Sequence, residues 1–252
     1  MSTASTVMPG AEPFHYEGGD VGCLVCHGFT GTPQSVHDWG EFLAREGGFT
    51  VIGPLLSGHG TRPEDMALYT AEHWIRDVER AIRTRHRRCT KVFCMGLSMG
   101  GTLSLYMAAM HPDLLSGVIT VNGAIYSRNP ELASLAFDEN PPAGYVGEGP
   151  EFVKPDVLNV CYPSIPIPPI RHLYALKSVT HDLLPRVVCP ALIFQSREDF
   201  VVPPENGPFI LDHIGSADKQ RVWLDNSYHV ATLDNDKELI AEQTLQFIRS
   251  HL

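Results

Sequence analysis

The 252-residue chain has no run of about 18 apolar residues, so no stretch of it reads as a membrane-spanning helix. Its first ten residues lack a basic segment followed by an apolar one, and a cytoplasmic location is the expectation. Basic residues are few. Nineteen Lys and Arg stand against 29 Asp and Glu, a formal charge of −10, which argues against nucleic acid or an anionic membrane as the main partner. The one basic run, residues 83–88, falls at the end of a predicted helix, where cations complement the negative end of the helix dipole. Cysteine is also scarce. Four of the six (Cys23, Cys26, Cys89, Cys94, Cys161, Cys189) sit in apolar, strand-like runs and read as reduced, packed thiols. Cys23-Leu24-Val25-Cys26-His27 has haem-attachment spacing, but it reads as a core strand running into a glycine loop, with no export signal. No histidine pair is spaced four apart, no second Cys-x-x-Cys accompanies Cys23 and Cys26, and no dinucleotide fingerprint or Walker loop follows a strand. Neither a metal nor a cofactor is therefore expected. Internal repeats and low-complexity tracts are absent too.

What the chain does have is ordinary globular composition, 43% hydrophobic and 19% charged, enough for a full core in one domain with or without an insertion. Short β-branched runs at residues 21–26, 49–53, 91–95, 117–121, 191–195 and 220–224 are apolar along most of their length, as in a parallel sheet covered on both faces. Residues 14–17 are a candidate edge strand. Between the runs lie amphipathic segments such as residues 70–88, with Trp74, Val78 and Ile82 at helical spacing, and residues 237–249. The alternation predicts an α/β fold. It breaks over residues 123–185, a Pro- and Gly-rich stretch with many apolar residues and no clear strand. That stretch reads as a small cap inserted in a core of residues 1–122 and 186–252. Its proline cluster, residues 163–169, reads as a stiff packed loop rather than a peptide ligand.

The strongest chemical signal is Gly96-Leu97-Ser98-Met99-Gly100-Gly101, between an apolar run and a helix-compatible one. A serine on a sharp strand-to-helix turn needs small neighbours, and the helix N-terminus then faces developing negative charge. Ser98 is the expected nucleophile. It needs a base, and the base needs an orienting acid. Hydrolases with this turn order the three as Ser, acid, His along the chain, which leaves His172, His181, His213, His229 and His251. His229 is chosen because it follows the last strand in a polar turn. Among the acids, Asp199 is preferred to its neighbour Glu198, with Asp182 and Asp225 ranked lower. For the oxyanion, the backbone N–H of Met99 follows the nucleophile, and Phe29 N–H in the loop His27-Gly28-Phe29-Thr30-Gly31 is the natural second donor. His27 reads as a structural hydrogen-bonding group, and His59, in Gly58-His59-Gly60, as part of a shaped turn.

Together with Val201-Val202 after Asp199 and the run Ser227-Tyr228-His229-Val230-Ala231-Thr232-Leu233-Asp234, these phrases resemble the α/β-hydrolase superfamily, and within it the small bacterial carboxylesterase and monoacylglycerol lipase group. The resemblance extends over about residues 20–240. It implies an eight-stranded sheet with a small cap, cofactor-free ester hydrolysis through an acyl-enzyme, Ser98, Asp199 and His229 as triad, and Phe29 and Met99 as oxyanion donors. The expected substrate is a small apolar acyl ester, with monoacylglycerols as its natural class. The apolar cap residues Ile165, Ile167, Ile170 and Leu173, with Leu176, are expected to line the acyl site. Alternatives on the same scaffold are carbon–carbon bond hydrolysis, acyl transfer, or a non-catalytic binding module.

Overall fold

The computed structural model describes residues 6–127, 129–147 and 149–252. In chain order the strands and α-helices are β1 (Phe14–Tyr16), β2 (Val21–Cys26), α1 (Gln34–Gly47), β3 (Thr50–Gly53), α2 (Pro63–Met66), α3 (Ala71–His86), β4 (Lys91–Leu97), α4 (Met99–Met110), β5 (Gly117–Val121), α5 (Pro130–Leu135), β6 (Gly144–Tyr145), β7 (Ile165–Pro166), α6 (Ile167–Leu183), β8 (Ala191–Ser196), α7 (Asn206–His213), β9 (Lys219–Leu224) and α8 (Lys237–Ser250). The main sheet runs β1-β3-β2-β4-β5-β8-β9, with β1 antiparallel to β3 and every other pair parallel.

Seven strands pair here, one fewer than the resemblance implies. Only β1 precedes β2 among the described residues. Residues 6–13 contain Pro9 and Pro13 and run along the loop at Gly60, where Met8 N–H donates to the Gly60 carbonyl at 2.7 Å, instead of adding a strand. The two strands in the 123–185 stretch pair only with each other.

The unbroken apolar runs of β2, β4 and β5 are explained by cores on both faces. Leu24, Cys26, Val92 and Cys94 face Trp74, Val78 and Ile82 of α3 and Leu103, Leu105 and Met107 of α4. Cys23, Val25, Phe93 and Met95 face Val36, Trp39 and Leu43 of α1 and Ile240, Leu245 and Ile248 of α8. Successive strand side chains alternate between the two layers, and fully burying each large one contributes about 1.5–3 kcal/mol. The six cysteines are all free, and five are buried. Among the described residues, no helix is long and apolar enough to cross a membrane.

Within residues 123–185 the 17-residue α6 divides its contacts. Ile167 and Ile170, at its start, join Ala136 in a small cluster bordered by Leu132, Leu135, Tyr145 and Tyr174. Leu173 and Leu176, further on, belong to the large cluster beside α4.

Candidate active site

Parallel strands bring several loops to one sheet edge, the carboxyl ends, where ligands bind in open α/β sheets. Ser98 lies between β4 and α4 with φ 55° and ψ −118°, a conformation costly for any side chain. The turn tolerates no bulk beside it. A Cβ on Gly96 would lie 2.3 Å from the Gly100 carbonyl carbon, and one on Gly100 would lie 2.2 Å from the Cys26 carbonyl oxygen. Both obstacles are backbone and cannot rotate away. Gly100→Ala is therefore expected to cost about 3 kcal/mol, measured as a fall in the urea midpoint at unchanged slope; an unchanged midpoint would show that the turn has room to relax.

His229 Nε2 is 3.0 Å from Ser98 Oγ, and His229 Nδ1 is 2.8 Å from Asp199 Oδ2. The Asp199 carboxylate is fully buried, and its other oxygen accepts the N–H groups of Val201 and Val202, both at 2.8 Å. That turn fixes which acid meets the imidazole. Glu198 is exposed, Asp225 pairs with Arg197, and Asp182 pairs with His181 on the surface. The histidines set aside by sequence also lie elsewhere. His213 Nδ1–H meets the Phe209 carbonyl, and His251 meets Asp218.

Burial pushes the His229 pKa down, but the adjacent Asp199 charge and its hydrogen bond more than offset this, and the net shift is upward from 6.5. The favourable pairing with protonated His229 is complete below 6.5 and fades as pH rises through the raised value. The neutral ring, which alone can accept a proton from Ser98, dominates only above it. kcat/KM is expected to fall on the acid side with an apparent pKa above 6.5, read from a pH–rate profile. An acid limb below 6.5 would contradict this balance.

The N–H groups of Met99, at the start of α4, and Phe29, after β2, donate to no acceptor among the described residues. Both residues are held close to the serine. Gly28 packs so near that a Cβ there would lie 3.3 Å from Ser98 Cβ. His27 secures the loop: its buried ring donates from Nδ1 to the Gly28 carbonyl at 2.9 Å and accepts Leu56 N–H on Nε2 at 3.2 Å. Burial lowers its pKa to about 4, so one neutral tautomer satisfies both bonds. The Phe29 ring meets Trp74 and His59 edge-on, at 5.7 and 6.2 Å.

Two positioning residues were not visible in the sequence reading. Asn122, at the end of β5 with φ 49°, donates to the His229 carbonyl at 2.8 Å and to Ser196 Oγ at 2.9 Å, while its oxygen accepts Ser196 N–H at 2.7 Å. It ties the ends of β5 and β8 to the histidine loop. Asp234 accepts N–H bonds from Tyr228, Val153 and Lys154 at 3.1, 2.8 and 3.0 Å, joining that loop to the 123–185 stretch. An Asn-Gly pair directly after a buried strand was the available signal for the first; the second needs the tertiary structure.

A cavity of about 1000 Å³ opens onto Ser98 and His229, lined also by Phe29, Tyr145, Ile165 and Leu173. Of the five residues expected there, Ile165 and Leu173 line it, and Leu176 does not, being packed in the large core cluster beside α4. Ile167 and Ile170 do not: they face α5 and Ala136, so the stretch uses them for its own small core.

A family model for the alpha/beta hydrolase fold matches residues 24–179. The chain belongs to the α/β-hydrolase family. This α/β hydrolase is 43% identical over 261 residues to the thermostable monoacylglycerol lipase of Bacillus sp. (strain H-257), a match covering 100% of this chain and 99% of that protein. It is 26% identical to a carboxylesterase of Bacillus subtilis (strain 168), over 94% of this chain and 96% of the relative. A solved structure from work on LipS and LipT, two metagenome-derived lipolytic enzymes, superposes with a TM-score of 0.95 at 50% identity, covering 98% of this chain and 100% of that one.

Proposed function

We propose that this hydrolase cleaves carboxylic esters of apolar acyl groups through an acyl-enzyme on Ser98, with monoacylglycerols as its natural substrate class. The observation that supports this most is the hydrogen-bonded line Ser98 Oγ, His229, Asp199 at 3.0 and 2.8 Å, opening onto a partly apolar cavity. Ser98 attacks the ester carbonyl as its proton passes to His229 Nε2. Negative charge collects on the carbonyl oxygen, where the Met99 and Phe29 N–H groups stabilise it. Collapse expels the alcohol, protonated by His229, and a water then repeats the sequence to release the acid. Asp199 holds the imidazole with its proton on Nδ1 and stabilises the imidazolium. The glyceride reading draws on the relative that is 43% identical and is named a monoacylglycerol lipase.

In this reading residues 123–185 act as a cap, with Ile165 and Leu173 against the acyl chain and Ile167 and Ile170 bracing the cap from within. Six unpaired cysteines suit a reducing compartment, and the proposal places the reaction in the cytoplasm. Hydrolysis of monoacylglycerols and p-nitrophenyl esters of graded chain length, with both products identified, tests the proposal. Release of free acid and alcohol is expected. Absence of turnover across the panel, or transfer of the acyl group to an alcohol with no free acid, would overturn it.

A further inference from the structure

Lys177 is 8% exposed and lines the cavity that opens onto Ser98. It is the only lysine or arginine among the described lining residues. Among the described residues its ammonium has neither a hydrogen-bond acceptor nor a carboxylate; its one close partner is the face of Tyr174, 5.4 Å away. A cation over an aromatic ring recovers only part of what water would supply, and a buried charge without a partner is costly. Burial accordingly lowers its pKa to about 8, which leaves it mostly protonated at neutral pH. Its charge reaches the reacting centre, where it opposes protonation of His229.

The carboxylates among the described lining residues make the contrast sharper. Asp199 is committed to His229 and two N–H groups. Glu131, Glu151 and Glu205 are exposed. Lys177 lies one helical turn beyond Leu173 on α6, so it follows the apolar wall that the acyl chain would meet. A purely hydrocarbon chain passing there would leave the ammonium unpaired, whereas a carboxylate would form a charge-assisted hydrogen bond with it.

We propose that the acyl site has a second substrate class, half-esters of dicarboxylic acids, whose free carboxylate is received by Lys177 while the ester reaches Ser98. This rests on the ester-hydrolase reading and adds selectivity to it. The test is kcat/KM on monoethyl esters of dicarboxylic acids from succinic to sebacic, each against the ethyl ester of the monocarboxylic acid of equal length. Wild type, Lys177→Met and Lys177→Gln are compared. In the wild type, the ratio of half-ester to simple ester is expected to peak at one chain length. At that length both variants are expected to lose at least about tenfold of the ratio, which is taken at one pH so that any effect of the lost charge on His229 falls equally on both esters. Removing an unpaired buried charge should leave Lys177→Met at least as thermally stable as the wild type, so loss through misfolding would be recognised by its melting temperature. A flat wild-type ratio, or a change below about twofold in both folded variants, overturns the inference while simple-ester hydrolysis still stands. Failure of the wild type on both ester classes overturns the ester-hydrolase reading and this inference together.

Discussion

Replacing Ser98 by alanine is expected to lower kcat on a p-nitrophenyl ester on the order of 10⁶-fold, with KM little changed. In the proposed reaction the hydroxyl forms the covalent bond. Among the described residues its only close polar partner is His229 Nε2, at 3.0 Å. The Ser98 carbonyl, which accepts Thr102 N–H at 3.1 Å, is untouched by the change, so the turn and α4 persist. A methyl group at φ 55° is no worse strained than the serine it replaces. The residual rate should reflect the oxyanion donors and cavity alone. Steady-state kinetics on protein with a wild-type melting temperature checks this, and a loss below about 100-fold would mean that another group starts the reaction.

Asp199→Asn is expected to lower kcat by about 10⁴-fold without unfolding the site. The geometry dictates the sense of the failure. Oδ1 of Asp199 accepts Val201 and Val202 N–H at 2.8 Å each, and an asparagine carbonyl oxygen can keep both bonds. Its amide nitrogen must then face His229 Nδ1, where the carboxylate oxygen stood at 2.8 Å. That amide donates, so Nδ1 becomes the acceptor and the ring proton moves to Nε2, the atom that must accept from Ser98. Loss of the carboxylate also removes what raises the His229 pKa, so the acid limb of the remaining activity should move to lower pH. An unshifted limb, or a loss of only a few fold, would contradict the assigned tautomer.

The residues of this site were legible because each is bound to a local backbone constraint. Gly96 and Gly100 announce a turn in which a Cβ would strike backbone, and Ser98 is fixed between them. Asp199 follows the fully buried β8 and His229 follows the partly exposed β9, so strand recognition placed them at the same sheet edge. Alternation along an extended turn allows only one of Glu198 and Asp199 to meet the imidazole, and the two amides on Oδ1 give the physical basis for its being Asp199. What was not legible depends on tertiary contact. Ile167 and Ile170 are as apolar as Ile165, yet helix α5 claims them. Asn122 and Asp234 act through partners up to 107 residues away. Lys177 resembles any surface lysine on a helix until α4 and the cavity close around it. The strand count differs for a related reason: the prolines before β1 and the short pairing within residues 123–185 are matters of where the chain packs, not of how apolar it is.

The proposed reaction passes through one covalent species, an ester between the substrate acyl group and Ser98 Oγ. Rapid mixing with a p-nitrophenyl ester, acid quenching within the first turnovers and mass spectrometry of the peptide containing Ser98 looks for it directly. The predicted result is a mass increase equal to the acyl group on Ser98 that decays at the rate of acid release and is absent in Ser98→Ala. Turnover with no acyl group on Ser98, or with the acyl group on another side chain such as the cavity-lining Cys161, would contradict it.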